Sequence, residues 1–486
     1  MFITKKQYFN ICKTCDDILL RRGNNAFQIA NSFLHVIREH PNFLKNYKRI
    51  FERINYFFIF YSFVLNTLKF IKNILISYFL GNRNNFNFSN KDLNCFDVLI
   101  ISHLLNKSQL KSNKDFYFGE LPNKLRSLTF LINHSKEKLD RKNFSKPFNN
   151  KIIASNFLGI FNEIRIFFSM VSEKIFLINQ VNSKNTQLQN NILKLAAISS
   201  ISPNSLFAIR LGKQVEQLVE KFMPKFILIT YEGFAWERIV FSSARKINPK
   251  ILCIGYQHAA IFKYQHAIKR DLGAMFNPDY IFTPGKVSKY LLEKVRLVPN
   301  KNIVTIGSLR NLELVKRNHK KNICLVAPEG FIEECEIIFK FSFECASLNP
   351  NINFIWRMHP LISFDFIKKK LPKFNFLPKN ILISKNSLSE DLVSAKALLY
   401  RGSTVAITAG ANGVIPIYIK QKNEMSIDPI FNAERGKFEI SDANEFKKVF
   451  VSKADNNFII RYCKDYYEPI NYKKIENFFN SKIKNH

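Results

Sequence analysis

From Pro224 onward the chain repeats one pattern: a short apolar run, a turn rich in glycine, proline or polar residues, then a segment with helical spacing. The runs at 226–230, 251–256 and 279–282 form a first block, followed by the stretch 303–310, and those at 323–326, 354–356, 381–384, 397–400 and 414–419 a second. None alternates polar with apolar residues as a sheet with one wet face would, so each reads as a strand covered on both sides. Strands of that kind joined through helices, as at 234–246 and 332–348, build parallel sheets with right-handed crossovers. The fold class expected is therefore α/β, with two Rossmann-like doubly wound domains. Earlier, 97–105 and 128–132 read as strands of the first domain, 161–176 as helix running into strand, and 143–150 and 182–191 as loops. The spacing predicts an N-terminal helical region over 1–90, a first domain over 91–310, a second over 311–450 beginning near the charged run 316–321, and C-terminal helices over 451–486.

A length of 486 residues supports this division, since one core rarely serves so long a chain. The formal charge of +35 favours anionic partners, such as nucleotide phosphates or acidic lipid. Nucleic acid is not expected, because no zinc-finger spacing, basic heptad helix or RNA-recognition signature is present. The eight cysteines are scattered. Cys12 and Cys15 have no second pair to complete a zinc site, so no metal is expected, and a reducing, cytoplasmic setting is. Residues 54–68 are uncharged and aromatic, flanked by Arg53 and Lys69, and too short to span a bilayer. Two readings stay open: a helix packed on the protein's own core, or one lying on an anionic membrane surface at the inner face of the cell membrane.

The strand ends carry the chemistry. Phe354-Ile355-Trp356-Arg357-Met358-His359-Pro360 ends in a permanent cation and a histidine, with Pro360 stopping helical continuation. Ala397-Leu398-Leu399-Tyr400-Arg401-Gly402-Ser403-Thr404 ends in a cation, a glycine that permits close backbone approach, and two hydroxyl residues before a helix whose first amides attract anions. With the turn Glu329-Gly330, these residues form the expected nucleotide-binding side. In the first domain Tyr231-Glu232-Gly233 ends one strand and Gln257-His258 the next. Glu232 would be either a general base or a helix cap, with His258 the rival base. His103, ending the strand at 97–105, is more simply a structural histidine.

In their order, Glu232-Gly233, His359-Pro360 and Ser403-Thr404 resemble the acidic-Gly, His-Pro and Ser-Ser/Thr motifs of the bacterial sialyltransferase, polysialyltransferase and capsule Kdo-transferase group. The resemblance covers roughly residues 226–430. It implies the GT-B architecture, two such domains facing a cleft. It also implies an inverting, metal-independent glycosyltransferase of surface polysaccharide or lipopolysaccharide biosynthesis, with no cofactor. The implied donor is a nucleotide sugar, a CMP-activated nonulosonic acid or Kdo, and the acceptor a glycan or glycolipid. Glu232 would deprotonate the acceptor, and His359 with Ser403-Thr404 would hold the phosphate. The group often shows two acidic residues before the glycine; here Tyr231 stands first. Glu336 and Glu344 have the Glu-x7-Glu spacing of retaining relatives, but lie upstream of His359. Two other readings are a CDP-glycerol-type polyol-phosphate transferase and a non-catalytic binding protein of the same fold.

Overall fold

The structure is a computed structural model that describes residues 2–21, 23, 25–79, 96–135, 150–310, 312, 314–315 and 322–483. The charged run 316–321 and most of the polar stretch 143–150 lie outside the described residues.

Two parallel sheets form the frame. The first comprises β1 (Val98–Leu104), β2 (Ser127–Asn133), β3 (Lys151–Ile153), β4 (Phe226–Thr230), β5 (Leu252–Tyr256), β6 (Tyr280–Thr283) and β7 (Ile303–Thr305), in the order β3-β2-β1-β4-β5-β6-β7. The second comprises β8 (Ile323–Val326), β9 (Asn353–Trp356), β10 (Ile381–Ile383), β11 (Ala397–Tyr400), β12 (Ile415–Ile419) and β13 (Phe438–Ile440), in the order β10-β9-β8-β11-β12-β13. Both are doubly wound, and each reverses direction beside its own first strand, at β1/β4 and at β8/β11. Crevices at such reversals, outside the carboxyl ends of the strands, are where open α/β sheets bind ligands.

Strand alternation explains why the runs are apolar throughout. Leu99, Ile101, Ile227 and Ile229 face the helices Pro203–Phe222 and Ala235–Ile247. Their neighbours Val98, Ile100, Phe226 and Leu228 face the opposite way, against Ile475 and Phe479. Those two residues belong to the helix Tyr472–Ile483, so the end of the chain crosses back to the first domain. The preceding helix Asn456–Lys464 stays on the second, with Cys463 against Gly410.

The N-terminal helices do not stand alone. Lys5–Leu20 shares one core with Ile160–Asn179 and Gln187–Ser199, which are inserted between β3 and β4. Asn31 donates to the Ala196 carbonyl at 2.8 Å, and Asn191 to that of Ile50 at 2.8 Å. Cys12 and Cys15 are buried in this core as packing residues. The stretch expected to run from helix into strand at 161–176 is one helix, Ile160–Asn179. Its buried positions Glu163, Ile166, Met170, Glu173 and Leu177 keep helical spacing, but two are carboxylates, which disguises the stripe. Glu163 is tolerated there because Arg210 pairs with it at 2.7 Å.

Candidate active site between the domains

Residues from both sheets line one cleft of about 460 Å³. The first domain contributes Glu232, Gln265 and Arg310, and the second contributes Glu329, Arg357, His359, Pro360, Gly402, Ser403 and Thr404. Arg38 and Phe43 reach it from the N-terminal helical region.

Glu232 sits where β4 gives way to the helix Ala235–Ile247. Gly233 adopts φ +90°, and a Cβ there would fall 2.3 Å from the backbone of Ala267, so the turn accepts only glycine. The helix is capped from within. The Glu237 carboxylate accepts the amides of Glu232 at 3.0 Å, Gly233 at 2.6 Å and Phe234 at 2.9 Å. Glu232 is thereby free of the capping role and its side chain, 24% exposed, lines the cleft. Burial raises its pKa above the usual glutamate range, against the opposing pull of Arg38 and Arg310. His258 Nε2 lies 3.8 Å from Glu232 Oε1, and the Tyr117 ring meets the imidazole edge-on at 4.6 Å between centroids. Burial, with Arg310 nearby, pushes the His258 pKa down to about 3, so the ring is neutral at pH 7. His258 meets Glu232 without lining the cleft. Tyr231 points away from it, fully buried, with its ring filling the space beside Gly255 and the Arg238 guanidinium 5.1 Å from the ring centre.

On the opposite side, the His359 Nδ1 accepts the Leu361 amide at 3.3 Å. A neutral ring so bonded carries its proton on Nε2, where it is available to an anion. Burial lowers the His359 pKa, and Glu329 works against that shift. Gly330 lies against the imidazole, where a Cβ would come within 2.8 Å of Cε1. Gly402 allows the Glu329 carboxylate to lie on the loop, since a Cβ at 402 would be 2.1 Å from Glu329 Oε1. No side chain caps the helix Val405–Ala411, so Ser403 and Thr404 leave that role unfilled beside the cleft.

Arg401 departs from expectation. It is 2% exposed and does not line the cleft; Nε is 2.5 Å from Glu334 and Nη2 is 2.5 Å from Glu424. Two carboxylates remote in sequence hold it as a structural cation. Arg357 does line the cleft, but its Nη1 is engaged by Asp391 at 2.9 Å and the Asn386 carbonyl at 2.8 Å. The cations facing the cavity that the strand-end motifs did not single out are Arg38 and Arg310. Arg310 ends the run Gly307-Ser308-Leu309-Arg310, a glycine-hydroxyl-cation cluster after β7 that parallels residues 401–403 and could have been found. Arg38 has no such signal. It stacks over Phe262 at 4.0 Å and lies 3.7 Å from Glu329, while His40 Nε2 bonds Glu329 Oε1 at 2.8 Å. With Glu334, these groups bring one nitrogen and two carboxylate oxygens within 4.8 Å of one another, a spacing compatible with a cation. Arg38 and Arg401 already supply positive partners there, and His40 bonds Glu329.

His103 lies outside the cleft, between His134 Nε2 and Thr230 Oγ1, at 2.9 Å from each. Burial and the neighbouring His134 bring its pKa to about 3. A second cavity, of about 1030 Å³, opens between the N-terminal helices and the carboxyl edge of the first sheet. It shares Phe43 with the cleft and includes Phe234, two residues after Glu232.

No family model matches the chain, and no curated protein matches it. Solved structures do. The UDP-GlcNAc 2-epimerase of Neisseria meningitidis bound to UDP-GlcNAc is similar at 11% identity, over 79% of this chain and 99% of that one, with a TM-score of 0.42. The Methanocaldococcus jannaschii UDP-GlcNAc 2-epimerase in complex with UDP-GlcNAc and UDP shows 14% identity over 79% and 99%, TM-score 0.42. The glycosyltransferase SnogD of Streptomyces nogalater shows 10% over 79% and 98%, TM-score 0.42.

Proposed function

We propose that the protein is an inverting glycosyltransferase that moves a sugar from a nucleotide donor to a hydroxyl of a glycan or glycolipid acceptor. One observation carries the reading. Glu232, at the reversal point of the first sheet, and the His359 and Gly402-Ser403-Thr404 strand ends of the second line the same cleft. A base and an anion-holding wall thus face each other across a space of the size small-molecule sites occupy. In the proposed reaction Glu232 takes the acceptor proton as the acceptor oxygen bonds to the anomeric carbon. The bond from that carbon to the phosphate oxygen breaks, and the nucleoside phosphate leaves with the electron pair. His359 Nε2–H, Arg310, Arg38 and the backbone after Gly402 offset the charge on the leaving group. Glu232 is preferred to His258 as base because it faces the cavity, whereas His258 is poorly basic and sits behind it. His258 would then orient the carboxylate. The 1030 Å³ cavity is the proposed acceptor site, reaching Glu232 past Phe43 and Phe234.

A CMP-activated nonulosonic acid or Kdo is the donor proposed, on the resemblance of the three strand-end motifs. Thermal shift with CMP, CDP, UDP and GDP tests this, since a ligand of the folded state raises stability with occupancy. Stabilisation by CMP above the others, lost in His359→Ala, is the expected result. Turnover of CDP-glycerol with no turnover of any CMP-sugar would overturn the donor assignment. Unchanged product formation in Glu232→Gln would overturn the base.

A further inference from the structure

The helix Tyr56–Phe79 and its neighbour Ile160–Asn179 carry a surface that the proposed chemistry does not use. One side of Tyr56–Phe79 is anchored. Ile59 and Phe70 are buried, Asn66 donates to the Ile198 carbonyl at 3.3 Å, and Lys194 donates to that of Ile54 at 2.9 Å. The other side is apolar and open: Phe57 is 76% exposed, Phe60 64%, Tyr61 52% and Leu68 57%. Their spacing places them on one stripe. On Ile160–Asn179, Phe161 is 91% exposed and Phe168 65%. Phe70 and Phe167 stack at 4.8 Å and join the two helices side by side. Soluble monomers seldom expose so much contiguous apolar surface.

We infer that this two-helix face docks on the surface of an anionic phospholipid bilayer, and that the acceptor is drawn from that bilayer by its lipid anchor. The charge around the face selects the occupant. Lys69, Lys72, Arg49, Arg53 and Arg165 are all exposed on or beside it, in a chain of net charge +35. A second copy docked through the same face would set these cations against their own equivalents; an anionic bilayer attracts them. The 24 residues of Tyr56–Phe79 would be long enough to cross a bilayer, at about 1.5 Å per residue. The anchored side and the two lysines oppose that. They fit a helix lying in the interface plane, its aromatics about 5–10 Å deep and its lysines reaching back to the headgroups. Asn66, on the anchored side, lines the 1030 Å³ cavity, so one helix separates bilayer from cavity. The docking stands on the face alone; the lipid-anchored acceptor rests on the transferase reading.

Flotation of the full chain with phosphatidylcholine vesicles, with and without phosphatidylglycerol, tests it. Flotation with the anionic vesicles, weakened by salt, is expected. It should fall roughly tenfold or more in Phe57→Ser/Phe60→Ser/Phe168→Ser, whose fold is checked by unchanged thermal stabilisation with nucleotide. Lys69→Glu/Lys72→Glu, fully on the surface, should lose the salt-sensitive part. Wild-type protein that stays out of the vesicle fraction, or that forms a dimer dispersed by the serine variant, overturns the docking. Flotation retained without any nucleotide stabilisation would overturn the transferase reading and leave the docking standing.

Discussion

Glu237→Gln should cost the first domain about 1–3 kcal/mol, whereas Glu232→Gln should leave its stability unchanged or raise it. The two side chains are five residues apart and face different tasks. Glu237 is buried and takes three backbone amides, those of Glu232, Gly233 and Phe234. Glutamine keeps one acceptor oxygen for two of them and turns an NH2 toward the third. One unsatisfied buried amide costs about 1–3 kcal/mol; burial raises the Glu237 pKa to about 8, so at pH 7 the group is mostly neutral and no loss of charge at the helix start is added. The Glu232 side chain does not cap the helix, so no amide is lost there. Its folded-state pKa is raised, so its contribution to stability is present below the ordinary glutamate value and is lost as pH rises through the raised one. Neutral glutamine removes that loss at pH 8. The chain has two tryptophans, Trp236 on the capped helix and Trp356 in the second domain. Urea unfolding followed by fluorescence in a Trp356→Phe background therefore reports on the first domain alone. A Glu237→Gln change within about 0.5 kcal/mol of the parent, together with a loss in Glu232→Gln, would refute the division of labour.

Gly402→Ala should abolish stabilisation by nucleotide and also lower the thermal stability of the free protein, because the new methyl must expel the Glu329 carboxylate, which His40 and Arg38 hold, from the loop. The His258 contribution runs opposite to that of Glu232. Its pKa falls from 6.5 to about 3 on folding, so stability is lost as pH drops below 6.5. By pH 5 that loss is about 2 kcal/mol, and a urea series from pH 7.5 to 5 should show a correspondingly shallower decline in His258→Gln. Turnover should fall on the acid side as Glu232 protonates, with the limb centred above the usual glutamate value of 4.5; a limb at or below that value would show that Glu232 is not the base. Arg401→Met should cost the second domain about 3–5 kcal/mol, since it strands two buried carboxylates. Arg310→Ala should instead leave the fold intact and weaken nucleotide stabilisation, and circular dichroism beside thermal shift separates the two arginines.

Much of the frame was legible because strands covered on both faces have to be apolar throughout. Phe226–Thr230 and Ala397–Tyr400 can be read to the residue for that reason. Legibility failed where burial was achieved with charge. Ile160–Asn179 hides its inward stripe behind Glu163 and Glu173, and only the distant Arg210 makes Glu163 intelligible. The site followed the same rule. Glu232, His359 and Gly402-Ser403-Thr404 stand at strand ends, and local sequence marks strand ends. Arg401 shares that mark, yet it is claimed by Glu334 and Glu424, at separations of 67 and 23 residues. Arg38 is the converse: it enters the cleft from a region with no strand to announce it.

The placement of Arg38 and Arg310 ties the proposed anion site to the spacing of the domains. The proposed base on one sheet and phosphate wall on the other would work only if the gap between them is held, because a misplacement of about 1 Å can cost on the order of a hundredfold in rate. Two segments hold it. The N-terminal one runs through Arg38 and His40 to Glu329, with Lys45 on Glu333. The C-terminal one brings Tyr466 Oη within 3.1 Å of the Ile261 amide and Tyr467 Oη within 3.1 Å of Arg310. Gly285 and Gly307 admit the backbone of residues 465–470 at distances no side chain would allow. Arg38 and Arg310 thus belong to the brace and to the cavity wall together. On the proposed reading, a donor phosphate drawing on their charge would pull on both segments and link donor affinity to the spacing of the domains through the same two guanidinium groups.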